Sequence, residues 1–270
     1  MGGAGTIEIE AKLVVVGPGR QALLDALARR DHLAGLALEE PQRLEIVDEY
    51  YDLRGAPLAA RDAALRLRRV HANGPERVLL TLKGPARAAE GLEVARDELE
   101  ADWSPAALER VRETLATWGL ALPASDVDLP PEAAAALAAL GLAPVQLRAA
   151  ERRSARLLRA GVAVAELCLD RVTYRPGTRD VVHRELEIEA LPPSGAAEVS
   201  RIAAELLTEQ PSALRAWRVS KTALGRALDE LEARGELAAL LDGEELSEAG
   251  YDELRDRLPS TRPEPRSESR

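Results

Sequence analysis

The hexapeptide IEIEAK, Ile7 to Lys12, sets Glu8, Glu10 and Lys12 at alternate positions against Ile7, Ile9 and Ala11. An extended backbone points successive side chains to opposite faces, so two carboxylates and an ammonium share one face and the apolar groups share the other. Two like charges about 7 Å apart on one face repel each other unless a positive charge lies between them. A divalent cation meets that need, because Mg²⁺ and Mn²⁺ favour carboxylate oxygens and commonly share their remaining positions with phosphate. By itself the stretch reads first as a solvated edge strand, charged against aggregation. The rest of the chain decides between the two readings.

Near the other end of the sheet-forming region, ELEIEAL repeats the pattern, with Glu185, Glu187 and Glu189 on one face and Leu186, Ile188 and Ala190 on the other. The segment ALRLRR inverts the charge, setting Arg66 and Arg68 against Leu65 and Leu67. LTLKGP carries Lys83 on the face of Thr81, and EVARDELE places Arg96, Glu98 and Glu100 together. Acidic and basic strands therefore alternate along one polypeptide.

The elements that must hold these residues are legible from turn and cap chemistry. Gly17 and Pro18 end the first strand, and RQALLDALARR follows as an amphipathic helix. RLEIVDEYYDL returns to alternation, and Asn73-Gly74 joins the next two strand patterns as a hairpin. Ser104-Pro105 fits an N-cap and first helical position for AALERVRETLATW. A Pro, Asp and Ala-rich connection, Leu122 to Pro131, leads to a short alanine-rich helix ended by Gly141. Three more strand patterns follow: PVQLRAAERRSARLL, GVAVAELCLDRVTY and VVHRELEIEAL. Helical signals come next in AAEVSRIAAELLTE, in the Ser220-capped SKTALGRALDELEARG and in EELSEAGYDELRDRL.

Composition narrows the function classes. The chain carries 36 basic against 46 acidic residues, a net charge of −10, so non-specific attraction to nucleic acid or to an anionic membrane is not expected and any anion site must be local. The single Cys168 excludes an internal disulfide framework and a cysteine zinc cluster. No apolar run approaches the roughly 18 residues of a membrane span, and MGGAGT lacks a signal-peptide pattern, so the expected location is cytoplasmic. His32, His71 and His183 stand at no metal-ligand spacing and are expected at the surface. Cys168, Trp103, Trp118 and Trp217 are expected to serve packing.

About eight strands with one charged face, together with several amphipathic helices that need apolar strand faces to cover, predict an α+β fold. The expected form is an eight-stranded antiparallel β-barrel tunnel with a charged interior and helices on its outer face. A lining that includes Glu8, Glu10, Lys12, Arg66, Arg68, Lys83, Arg96, Glu98, Glu100, Arg153, Asp170, Glu187 and Glu189 demands counter-charge. Carboxylates that hold divalent cations, beside Arg and Lys that take phosphate oxygens, fit a metal-bound polyphosphate.

IEIEAK matches the ExExK signature of the CYTH proteins, the triphosphate tunnel metalloenzymes. ALRLRR, LTLKGP, RDELE, AERRSARL, CLD, ELEIEAL and the late SK follow in the family's order. The chain resembles that family from about Thr6 to Leu231. The resemblance implies Glu8, Glu10, Glu187 and Glu189 as ligands of Mg²⁺ or Mn²⁺, with Asp170 supporting them. It implies Lys12, Arg66, Arg68, Lys83, Arg153 and Lys221 as triphosphate ligands. Glu98 is expected to make a second metal contact and to orient the attacking water, a role that Glu100, on the same face, could take instead, and Lys83 is counted with them as catalytic. Arg152 or Arg156 could replace Arg153, and Glu185 shares the acidic face without a defined role. The expected activity is hydrolysis of a small-molecule triphosphate, inorganic tripolyphosphate first. A class IV type adenylyl cyclase and a non-catalytic polyphosphate or nucleotide binder are the alternatives. The expected organisation is a tunnel domain over 1–235, an acidic helical extension over 236–258 and a disordered tail over 259–270.

Overall fold

The computed structural model describes residues 6–88, 91–122, 130–192 and 194–258, so the tail expected at 259–270 lies outside the described residues. Eight long strands carry the fold: β1 (Thr6–Val15), β2 (Gln42–Asp52), β3 (Ala64–His71), β4 (Arg77–Lys83), β5 (Glu93–Asp102), β6 (Ala143–Arg159), β7 (Val162–Tyr174) and β8 (Val181–Ala190). Their hydrogen-bonded order is β1-β5-β4-β3-β2-β6-β7-β8, and β8 pairs back onto β1. The sheet is thus a closed antiparallel eight-stranded barrel, which leaves no free edge among these strands.

Among the described residues six α-helices accompany it: α1 (Arg20–Leu27), α2 (Pro105–Thr117), α3 (Ala133–Ala139), α4 (Ala196–Glu209), α5 (Lys221–Ala233) and α6 (Glu248–Arg257). Local chemistry sets their ends. The Ser104, Ser220 and Ser247 hydroxyls accept hydrogen bonds from the backbone N–H three residues on, at 3.1, 3.2 and 3.0 Å, opening α2, α5 and α6. Gly141 takes a φ of 81° just beyond α3, a conformation that stops a helix and that glycine adopts without steric cost.

The chain divides into two compact units. The first comprises Met1–Ile7, Glu45–Pro85 and Arg96–Ala149. Its core sets Leu65 and Leu67 of β3 and Leu80 and Leu82 of β4 against Leu108, Val111 and Leu115 of α2 and Leu137 of α3. The apolar face of these strands is therefore the helix-covered one, and Arg66, Arg68, Thr81 and Lys83 take the other.

The second unit comprises Glu8–Leu44, Ala86–Ala95 and Ala150–Arg270. Ala11, Leu13 and Val15 of β1 pack with Leu167, Leu169, Leu186 and Ile188 against α1 and α4. On the opposite face, Val14 and Val16 join Val172, Tyr174 and Val181 in a separate core with Leu224 and Leu228 of α5 and Tyr251 and Leu254 of α6. Val14 continues the alternation of Glu8, Glu10 and Lys12, so α5 and α6 pack on the charged face rather than on the outer one. The charged face turns apolar at one end, and the two last helices cover that end.

Candidate active site

In the first unit, antiparallel register puts Arg68 opposite Asp48, Arg66 opposite Thr81, Thr81 opposite Glu100, and Lys83 opposite Glu98, which places all of them on one sheet face. The Arg68 guanidinium grips the buried Asp48 carboxylate through two hydrogen bonds of 2.7 and 2.8 Å. Arg66 approaches the same carboxylate at 3.7 Å and Glu100 at 3.4 Å. Arg148 donates to Asp48 at 3.4 Å and lies over the Tyr50 ring at 4.2 Å. Burial opposes ionisation of Asp48, but the surrounding guanidiniums of Arg68, Arg66 and Arg148 outweigh it and hold the carboxyl well below the usual range. Glu100 also stays ionised: burial opposes it, while Arg66 and a 2.8 Å hydrogen bond from Thr81 favour it. Lys83 sits 3.2 Å from Glu98.

Arg96 stands apart from this pairing. It is 5% exposed, has no hydrogen-bond or ion-pair partner among the described residues, and its Nε is buried without an acceptor. A buried unpaired guanidinium costs several kcal/mol unless an anion meets it. The donor set of this unit fits phosphate oxygens.

In the second unit, Asp170, Glu185 and Glu187 lie on adjacent positions of β7 and β8 and bring one carboxylate oxygen each within 4.8 Å of the others. Hard oxygen donors at that spacing fit Mg²⁺ or Mn²⁺. In this structure basic side chains neutralise them. Arg152 binds Asp170 through two hydrogen bonds of 2.7 and 2.6 Å and reaches Glu187 at 2.6 Å. Lys221, the first residue of α5, contacts Asp170 at 3.1 Å and Glu187 at 2.6 Å and forms an ion pair with Glu185. Lys12 lies 2.8 Å from Glu10 and 3.7 Å from Glu187. Burial would raise the pKa of Glu187, yet Lys221, Arg152 and Lys12 pull it well below the ordinary value. Asp170 and Glu185 are lowered in the same way, against their own burial, chiefly by Arg152 and by Lys221 respectively. Lys221 is buried too, a desolvation that favours loss of its proton, but the three carboxylates overcome it and hold the ammonium charged.

Glu8 and Glu10 are buried on β1, and Glu189 is the register partner of Glu10. Cys168 lies on the face of Asp170, and burial pushes its thiol up, which removes thiolate chemistry.

Three expectations change. Arg153 points away from the cluster to Asp25 of α1, and Arg152 occupies the inward position. The reason is strand parity: Arg153 shares its face with Leu157, which packs under α1, so only the even positions of β6 reach the carboxylates. Glu185 joins the cluster as a full member, set in register opposite Asp170. His183 is 0% exposed instead of at the surface, because Trp217 and Tyr251, from elements distant in sequence, pack their rings at 6.2 and 5.7 Å from it. His32 and His71 are exposed as expected. Asp48 and Arg148 escaped the sequence reading. Asp48 carried one signal, its even position in RLEIVDEYYDL opposite a basic strand.

The closed barrel thus carries buried carboxylates and buried guanidiniums on its strand faces, groups able to hold a metal ion and an anion. The CYTH domain profile matches residues 6–216, and the chain belongs to the CYTH family. No curated protein matches it at a significant level. Among solved structures, HpAC1 from Hippeastrum, an adenylyl cyclase by name whose structure is described as revealing a dominant triphosphatase activity, is 21% identical. The alignment covers 82% of this chain and 95% of that one, with a TM-score of 0.53. The PH1819 protein from Pyrococcus horikoshii is 20% identical over 83% of this chain and 99% of its own, with a TM-score of 0.50. At these identities the likeness is one of fold.

Proposed function

We propose that the protein hydrolyses a linear triphosphate, with inorganic tripolyphosphate as the first candidate, in a reaction that depends on Mg²⁺ or Mn²⁺. The observation that carries this reading is the buried trio Asp170, Glu185 and Glu187, whose oxygens lie within 4.8 Å of one another and whose negative charge is met by Arg152, Lys221 and Lys12, with His183 beside Glu185. Glu8, Glu10 and Glu189 complete the metal-binding set, and a metal bound there supplies charge neutralisation for phosphate oxygens. Arg66, Arg68, Arg96 and Lys83 bind phosphate in the first unit, and Lys12, Arg152 and Lys221 do so in the second. A metal held by Asp170, Glu185 and Glu187 would compete with Lys221 for these carboxylates, and the ammonium would then be available to a phosphate oxygen. The Hippeastrum neighbour, described as having a dominant triphosphatase activity, indicates that the fold can carry such a reaction.

The chemistry is phosphoryl transfer by positioning and charge stabilisation. A water oxygen bonds to the terminal phosphorus, the bridging P–O bond breaks, and pyrophosphate leaves with the electron pair. Glu98 or Glu100 orients the water. Glu100 is held ionised but is a weak base, so the proton ends on the product phosphate. Lys83 and the guanidiniums meet charge on the transferred oxygens.

The test is incubation with tripolyphosphate, ATP and thiamine triphosphate, each with Mg²⁺ or Mn²⁺, followed by product identification. Metal-dependent release of phosphate and pyrophosphate from tripolyphosphate is expected. Cyclic AMP with pyrophosphate from ATP would replace this reading by the cyclase one, and binding without products would end both. Glu187→Gln is expected to lower kcat by about 100-fold or more while the circular dichroism spectrum is kept, as is usual for lost electrostatic stabilisation.

A further inference from the structure

The acidic segment after α5 lies beyond the stretch matched by the family profile, which ends at residue 216. It nevertheless reaches the carboxylate cluster. The Tyr251 hydroxyl of α6 lies 3.0 Å from His183 Nδ1, and His183 Nε2 lies 2.9 Å from Glu185 Oε2. The other oxygen of Glu185 faces Lys221, which also holds Asp170 and Glu187. The chain of contacts is sealed: His183 and Glu185 are 0% exposed, and the Trp217 ring stands edge-on to Tyr251 at 5.5 Å.

We propose that Tyr251 and His183 are positioning residues for the metal cluster: α6 fixes the His183 ring, and the ring fixes which oxygen Glu185 offers to a divalent cation. This rests on the metal-binding reading above. An ionised carboxylate only accepts hydrogen bonds, so the nitrogen facing Glu185 carries the proton. Nδ1 then accepts from the Tyr251 hydroxyl, which burial keeps protonated. With both ring nitrogens engaged, neither ring rotation nor tautomer exchange is free to occur. Glu185 Oε2 is tied to the imidazole, and Oε1 is left to Lys221, whose place beside Asp170 and Glu187 a divalent cation would take. Partners that orient a ligand from behind typically change metal affinity 10- to 100-fold when they are removed.

The experiment is Mn²⁺ titration of the full chain, followed by electron paramagnetic resonance, with thermal melts and tripolyphosphate kinetics alongside. Tyr251→Phe keeps the ring and removes only the hydroxyl. It is expected to weaken Mn²⁺ binding about 10-fold and to lower kcat at fixed Mn²⁺, with KM for tripolyphosphate within about twofold of wild type. His183→Gln keeps an N–H near the position of Nε2 and is expected to retain more affinity than His183→Leu. Leu206→Ala, in α4, is the control: it opens a cavity in a separate core and leaves α6 untouched, so its melting temperature falls while its Mn²⁺ affinity stays. Equal affinity in Tyr251→Phe, His183→Leu and wild type overturns the proposal. So does an affinity loss in Leu206→Ala that matches Tyr251→Phe, or His183→Gln no better than His183→Leu. Wild-type protein that binds no Mn²⁺ overturns the metal reading together with it, so the two failures are distinguishable.

Discussion

Asp48 is a single buried carboxylate shared by three arginines, and its consequences are thermodynamic as well as functional. Its folded pKa lies well below the ordinary value, so its ion pairs stabilise the protein above the unfolded pKa of about 3.9 and lose that contribution as pH falls through the folded pKa. Asp48→Asn leaves buried guanidiniums uncompensated and is expected to destabilise by about 3 kcal/mol at pH 7, the usual cost of breaking a buried pair. Urea melts at pH 7 and pH 3 check this: the gap between variant and wild type should narrow at acid pH. Arg96 predicts the opposite sign. It is buried and unpartnered among the described residues, so Arg96→Met is expected to raise the melting temperature while weakening substrate binding. A variant with unchanged KM would remove Arg96 from the phosphate set. Arg66 and Arg68 were legible because one strand carried them in alternation. Asp48 was not, because RLEIVDEYYDL carries four acids and each looks the same in the pattern whether it meets water or three guanidiniums.

At the scale of elements, the period of two was the strongest guide, and it failed only where adjacent residues carry the same charge. In β6, Arg152 and Arg153 both satisfy a basic motif, and the choice depends on which face α1 covers. Leu157 lies under α1, which turns Arg153 toward Asp25 and leaves Arg152 on the carboxylates. Arg152→Ala is therefore expected to reduce kcat/KM for tripolyphosphate by at least about 100-fold, since the lost group makes charge-assisted hydrogen bonds. Arg153→Ala should stay within about threefold of wild type, because it removes a partly exposed ion pair of small worth. Kinetics on the two variants side by side decide the register. Helix starts at Ser104 and Ser220 were readable because a cap is a local device. The burial of His183 was not, because the rings that cover it come from 34 and 68 residues further along the chain.

In the chain as a whole, residues on both sides of position 235 share one core. Val14, Val172 and Tyr174 extend the charged faces of β1 and β7 into an apolar patch. Leu237, Leu246, Tyr251 and Leu254 complete its cover, each nearly or fully buried. IEIEAK was readable as a strand with one charged face, but the two residues that follow that face, Val14 and Val16, gave no hint that a later helix would seal them. Burying four such side chains is worth about 1.5–3 kcal/mol each, and ordering the segment that carries them consumes much of that gain. A net loss of about 3 kcal/mol on ending the chain after Gly235 is a conservative expectation. For a chain of this size it corresponds to a fall in melting temperature of about 6–12 °C. The exposed patch should also bind an apolar dye, and Mn²⁺ affinity should fall with the loss of Tyr251. A truncated chain that melts cooperatively at the full-length temperature and still binds Mn²⁺ would make the extension an ornament. The packing of Tyr251 against Trp217 and His183 argues that it is the end of the site.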